Sequence, residues 1–522
     1  MSGAAPAPGF GKYEIVIGLE VHAQLTTHSK IFSGSSSAYG AAPNAATDPV
    51  CLGLPGTLPV LNQAAVLAAV RLGLAVGSRI RTRCRFARKH FFYPDMPKGF
   101  QLSQFDEPIC DGGIIRFRLR DERKQVRLVR IHLEEDAGKS LHAAGAFSLV
   151  DYNRSGVGLC EIVSEPDLRS AEEAAEYVRA MRALVRALGI CDGNMEEGSL
   201  RCDANVSLRL WGEAQLGTKT ELKNINSFKN IRDAVEHEVR RQAALLDRGE
   251  RVTQETRLWD AVRGVTMAMR SKEQAHDYRY FPEPDLPPLI LDEGFLAAAR
   301  SSLPEIPEAR FERYTGSSGL SAQDASVLVA EREIADYFDA TVASALGGPN
   351  VSQYKSDKIG KSDGEAQEPG ARIPARETVK KVANWVINEV LAQVGDPRRL
   401  GEADLPVPPE ALAELVALLE SGALSRKLGK EVFARMWTER RRAGEIVAAE
   451  GLAQVSDVGS LEEICRRILA AHPAESARYR AGERKLIGFL VGAVMKETSG
   501  KANPKGVNEI LQRLLAAAAS PP

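Results

Sequence analysis

At 522 residues, with 44% hydrophobic and 26% charged side chains, the chain has the composition of a globular protein too long for one core. A formal net charge of −1 excludes a polybasic nucleic-acid binder, so any RNA contact must come from a local patch. No apolar run is long enough to span a bilayer, and the 7 scattered cysteines form no disulfide framework, which points to a reducing compartment, the cytoplasm.

Residues 1–12 read as a disordered leader, without the apolar core of a signal peptide or the arginines of a transit peptide. From Tyr13 to Leu25 the chain alternates: Ile15, Ile17, Leu19, Val21, Ala23 and Leu25 are apolar, which predicts a strand with Glu20, His22 and Gln24 on its other face. A carboxylate and an imidazole two residues apart, about 7 Å along a strand, can reach one cation or one phosphate. A solvated outer face is the plainer alternative. A Gly/Ser/Ala/Pro-rich loop follows, then a helix from about Asn62 to Ala75 stopped by Gly77. Between Phe86 and Gln101, aromatic residues interleave with Arg88, Lys89, His90 and Lys98, a mixture suited either to stacking on a nucleotide or to an aromatic core with a basic rim.

The alternating pattern recurs. Leu128–Asp136 puts Arg130, His132 and Glu134 on one face and ends in the acidic triplet Glu134, Glu135, Asp136. After a polar turn, Asp151 to Leu159, and a strand from Cys160 to Val163, Ser170 and Glu173 form a capping box for a helix closed by Gly189. Leu200–Arg209 alternates again and carries Asp203, and Lys219, Glu221 and Lys223 share one side of the next strand. Carboxylates suit a hard cation such as Mg²⁺, and neighbouring lysines and arginines suit phosphate oxygens. Two readings stand together at this point: Mg²⁺-nucleotide chemistry on an antiparallel sheet, or a half-exposed sheet laced with cross-strand ion pairs. Neither a Walker loop nor a Gly-x-Gly-x-x-Gly opening a βαβ unit is present.

A helix spans about Ser227 to Leu246, and a proline cluster near Pro288 marks a domain boundary. Beyond it helical spacing takes over, with one helix over Ala325 to Ala345 and another from about Glu377 to Val394, separated by a polar, disordered insertion at 347–374. Arg478, Arg480, Arg484, Lys485, Lys496 and Lys501 make the last helices basic, as RNA-backbone grips or as solvated faces.

The runs Ile17–His22, Phe92–Gly99, His132–Lys139, Asp151–Arg154, Met195–Asn205, Glu221–Phe228, Asp277–Pro282 and Gly500–Pro504, in this order, resemble the B-subunit family of the heterotrimeric aspartyl/glutamyl-tRNA amidotransferases. The resemblance covers nearly the whole chain except the leader and the insertion. It implies an α+β protein: an antiparallel-sheet catalytic cradle like the active-site sheet of glutamine synthetase over 13–290, a helical domain over 291–404, and an α-helical tRNA-binding tail over 405–522. The implied reaction is ATP-dependent phosphorylation of the side-chain carboxylate of Glu-tRNA(Gln) or Asp-tRNA(Asn), followed by displacement of phosphate by ammonia. The implied partners, beside tRNA, are the two other members of the heterotrimer: an amidase, the A subunit, which makes ammonia from glutamine, and the small C subunit. The chain itself has no recognisable glutaminase machinery. The implied catalytic set is Glu20, His22, Glu135, Asp203 and Glu221, with Mg²⁺ held by these and Glu134; the register does not separate Glu134 from Glu135. Arg154, Lys219 and Lys223 are the implied phosphate contacts.

Two departures matter. Many family members carry a four-cysteine zinc site, but the matching positions here are Ser33, Ser35, Asp48 and Cys51, so no structural zinc is expected. Gly158 stands where a proline is usual. The rivals are an archaeal sibling with an inserted synthetase-like domain, for which no stretch is long enough, a non-catalytic tRNA-binding scaffold, which would have lost the acidic set, and a free-standing ammonia ligase on a small carboxylate, against which the basic tail argues.

Overall fold

The computed structural model describes residues 10–142, 147–269, 278–347, 372–452, 458–498, 502 and 504–517. The leader up to residue 9, nearly all of the 347–374 insertion, and Gly500, Lys501 and Asn503 lie outside the described residues. Two compact units result, 1–310 and 311–522.

In the first unit, β1 (Tyr13–Gln24) is hydrogen-bonded along both edges. Its alternation is realised: Ile17, Leu19, Val21 and Ala23 are buried, while Glu20, His22 and Gln24 are half-buried on the other face. Further strands are β2 (Ala87–His90), β3 (Phe100–Ser103), β4 (Glu122–Glu135), β5 (Gly158–Ser164), β6 (Leu200–Leu210), β7 (Thr220–Lys223), β8 (Thr256–Asp260), β9 (Val265–Ala268) and β10 (Phe281–Pro282). They lie side by side in the order β9-β8-β7-β6-β1-β5-β4-β3-β2-β10, and shorter strands join β4 at its outer half. The apolar face shares one core with α1 (Gln63–Ala75), α2 (Ala171–Ala187) and α3 (Phe228–Asp247). Asn62, Ser170 and Ser227 cap these helices by accepting hydrogen bonds from the backbone amides of Ala64, Glu173 and Asn230.

The sheet is mixed rather than purely antiparallel: β7 and β8 run parallel. A parallel pair needs a crossover, and α3 supplies it. The first unit also extends past the predicted boundary at 290. Helix α4 (Glu293–Ser301) buries Leu296 and Ala299 in the core beside α1, and α5 (Pro307–Thr315) begins before the unit ends.

In the second unit, the helix expected over Ala325 to Ala345 is two helices, α6 (Ala322–Leu328) and α7 (Arg332–Ala345), and neither Gly nor Pro marks the break. The next helix starts at Arg372, inside the stretch expected to be disordered, and continues to Val394 through a π-helical turn at Val386–Val390. Among the described residues, this unit holds two apolar cores. One runs from Tyr314 to Val447, across the boundary expected at 404, and the other from Leu461 to Leu515.

Candidate functional site

Sheet register explains why acids distant in sequence meet. Glu20 of β1 lies opposite Asp203 of β6, and Asn205 of β6 lies opposite Glu221 of β7. Residues opposite one another on one face sit within about 5 Å at their β-carbons. One ligand oxygen from each of Glu20, Asp203 and Glu221 therefore falls within 4.8 Å of the others, a group able to hold a metal ion. Asn205 Nδ2 donates to Glu20 Oε1 at 3.0 Å, Thr256 Oγ1 donates to Glu221 Oε2 at 2.6 Å, and the Lys223 ammonium lies 2.6 Å from Asp203 and 3.0 Å from Glu221. Burial, then the charges of Glu161, Glu221 and Asp203, push the Glu20 carboxyl up. Burial would raise Glu221 too, but Lys223 and Thr256 hold it below the usual range.

A second group lies two residues further along β1 and across its other edge, on β5 and β4. His22 of β1, Glu161 of β5 and His132 of β4 are cross-strand partners in a row. Ligand atoms of His22, Glu134 and Glu161 also fall within 4.8 Å of one another. His22 Nε2 is 3.5 Å from Glu161 and 3.7 Å from Glu134; His132 Nε2 is 3.2 Å from Glu161 and 3.7 Å from Glu134. Burial pulls both imidazoles down, but the two carboxylates outweigh it, raising His22 and bringing His132 up to about 9. Burial would raise Glu161, yet His132 and His22 hold it well below its ordinary value. Lys89 joins from β2: burial lowers its ammonium, and Glu134, Tyr280 and Glu161 more than compensate, while the ring of Tyr278 lies 5.0 Å beneath it.

The structure thus brings together Glu20, Asp203 and Glu221, and beside them His22 and Glu134. It separates Glu135, which sequence reasoning had grouped with them. Successive strand residues face opposite sides, and Glu135 turns away to accept from Lys98 Nζ at 2.5 and 2.6 Å and from the Leu102 amide at 2.8 Å. Arg154 is also committed elsewhere: it donates to the carbonyls of Ala137 and Gly138 at 2.9 and 2.8 Å and lies 3.5 Å from Asp136, so it braces the turn after β4 instead of facing the acidic groups. Lys219 is exposed at the entry to β7, close enough to help lower Glu221. Glu161 and Asn205 were not singled out, while His132 was read only as a member of a strand face and Lys89 only as part of the aromatic and basic stretch. Glu161 had a signal: it is the lone carboxylate inside the apolar run Leu159–Val163, a position that is costly unless paired.

Comparison with known proteins bears on this geometry. Residues 15–297 match the family model described as GatB/GatE catalytic domain, and residues 372–515 match the GatB domain. The chain is 51% identical over 505 residues to the B subunit of the aspartyl/glutamyl-tRNA(Asn/Gln) amidotransferase of Anaeromyxobacter dehalogenans (strain 2CP-C), covering 96% of this chain and 99% of that protein. It is 49% identical over 500 residues to the protein of the same name from Nitratidesulfovibrio vulgaris (strain DP4), covering 96% and 98%, and 48% identical over 504 residues to that from Chlorobium limicola (strain DSM 245 / NBRC 103803 / 6330), covering 97% and 99%.

Proposed function

Since the chain belongs to the family of aspartyl/glutamyl-tRNA(Asn/Gln) amidotransferase B subunits, we propose that its acidic sheet face activates the side-chain carboxylate of Glu-tRNA(Gln) or Asp-tRNA(Asn) with ATP and completes the amide with ammonia. The observation that carries this reading is the convergence of Glu20, Asp203 and Glu221 from three adjacent strands. Three crowded carboxylates share one ammonium, Lys223, which pairs with Asp203 and Glu221 and leaves Glu20 pushed toward its neutral form, so the group has negative charge left over for a cation. Oxygen donors in that number fit Mg²⁺, which keeps its remaining positions for water and phosphate. Bound there, Mg²⁺ would neutralise phosphate charge and align the transfer. The His22, Glu134, Glu161 group offers mixed donors beside it.

In the first step a carboxylate oxygen of the aminoacyl group attacks the γ-phosphorus and ADP leaves. In the second, ammonia attacks the acyl carbon, phosphate leaves, and one proton is lost. Lys223 and Lys89 place ammonium groups at the two acidic groups, where they can follow the phosphoryl oxygens. Ammonia comes from a partner amidase, the A subunit, and the small C subunit completes the heterotrimer. No described helix is long and apolar enough to cross a membrane, and a cytoplasmic translation enzyme agrees with cysteines that are all free and buried.

The test is reconstitution with the A and C subunits and an assay of ATP- and glutamine-dependent conversion of Glu-tRNA. Asp203→Asn is expected to lower tRNA-dependent ADP release about a hundredfold or more while tRNA affinity stays within a few-fold. Undiminished ADP release in that variant would remove the three-carboxylate group from the chemistry.

A further inference from the structure

The loop after β1 is where the family resemblance implies a metal that this chain is not built to hold. A structural zinc takes four Cys or His donors, and Ser33, Ser35, Asp48 and Cys51 supply one thiol among them. The four positions nevertheless converge. Ser33 Oγ and Cys51 Sγ lie 3.2 Å apart, Ser33 Oγ accepts from the Ser35 amide at 3.2 Å, and Asp48 Oδ1 accepts from the Cys51 amide at 2.8 Å. Burial pushes the Asp48 carboxyl up, but hydrogen bonds from the Cys51 amide and from the side chains of Cys51, Ser33 and Ser35 outweigh it. A carboxylate thus stands among the corners that four thiolates would occupy.

The positive charge is supplied next door. Lys30 is 0% exposed, its ammonium donates to the Tyr152 carbonyl at 3.3 Å, and its backbone amide donates to Ser35 O at 2.9 Å. An ammonium without nearby anions is too costly to bury. Burial pulls this one down, and Cys51, Asp48 and Glu135 offset part of that pull. A β-carbon placed on Gly156 would lie 3.5 Å from Lys30 Cδ, 3.8 Å from Cys51 Sγ and 3.9 Å from Glu135 Oε2, so stem, thiol and carboxylate border one point.

We propose that this loop is fastened without metal: Asp48 holds the Cys51 amide, Ser33 joins the Ser35 amide to the Cys51 thiol, and buried Lys30 supplies the cation and ties the loop to Tyr152 beside Glu135. The zinc comparison rests on the family assignment, but every readout below is independent of ATP and tRNA. The full chain is loaded with zinc, washed with a chelator, and its metal counted by mass spectrometry. The wild type is expected to keep no stoichiometric zinc, and protease should cut residues 33–60 at the same rate with or without chelator. Asp48→Asn should speed that cleavage about tenfold, the effect of losing roughly one charge-assisted hydrogen bond. Lys30→Met should do the same if it folds, and Asp48→Asn carries the test if it does not. The triple variant Ser33→Cys, Ser35→Cys, Asp48→Cys should hold about one zinc per chain and become chelator-sensitive. Stoichiometric zinc on the wild type, an Asp48→Asn loop cut no faster than wild type, or a triple variant that binds no zinc would each overturn the proposal.

Discussion

Replacing Glu135 by Gln separates two roles that adjacent carboxylates play. Glu135 and Lys98 are both buried, with side-chain exposures of 2% and 9%, so the variant leaves an ammonium facing a neutral amide. Breaking a buried pair this way costs on the order of 3 kcal/mol, and thermal unfolding should show it, whereas Asp203→Asn should cost activity first. A second residue-scale expectation concerns pH. His132 has its pKa at about 9 in the folded chain against an ordinary 6.5, so its contribution is complete below pH 6.5 and is lost as pH rises through 9. The unfolding temperature of magnesium-free protein should therefore fall across that window, and His132→Gln should flatten the fall. A wild-type profile that stays level from 6.5 to 9 would show that Glu161 and Glu134 do not hold the imidazolium. Alternation had set Glu134 on the face of His132, and the structure keeps it there; Glu135 entered the set through the motif match, and with Leu159 opposite Glu134 it turns to Lys98 on the other face.

Among the elements, β1 was the most legible. It is half-buried, so its alternation is printed in the residues themselves. β5 was less so, because burial along nearly its whole length hides alternation. The break between α6 and α7 and the π turn at Val386–Val390 carry no glycine or proline and left nothing to read. The parallel pairing of β7 with β8 was equally hidden, since direction is set by where α3 returns the chain. Arg154 shows the same limit: a motif match suggested phosphate, while its three groups of contacts hold the turn after β4. Arg154→Ala should accordingly lower stability by about 1–3 kcal/mol, read by denaturant midpoint, with little change in the ATP dependence of whatever activity remains. A large rise in the ATP requirement at unchanged stability would restore it to phosphate binding.

For the molecule as a whole, the first unit ends near Arg310, not at the proline cluster. Proline stops regular structure but does not stop burial, and Leu291, Leu296 and Ala299 pack into the first core after it. A fragment of residues 1–310 should unfold in one cooperative transition. A fragment of residues 1–290 lacks those side chains and should be less stable by on the order of 3 kcal/mol, visible as a lower midpoint. Equal midpoints would place the boundary at the prolines after all.

The central position of β1 also has a cost during synthesis. It is synthesised before both of its neighbours, Gly158–Ser164 and Leu200–Leu210. At about 5–20 residues per second, translation needs roughly 10–40 s to deliver them. Through that interval the nascent chain carries an apolar ribbon with both edges bare, the form most prone to pair with a stranger. A holdase that covers Tyr13–Gln24 until residue 210 has emerged would protect the yield of this protein more than any stabilising change in its finished core.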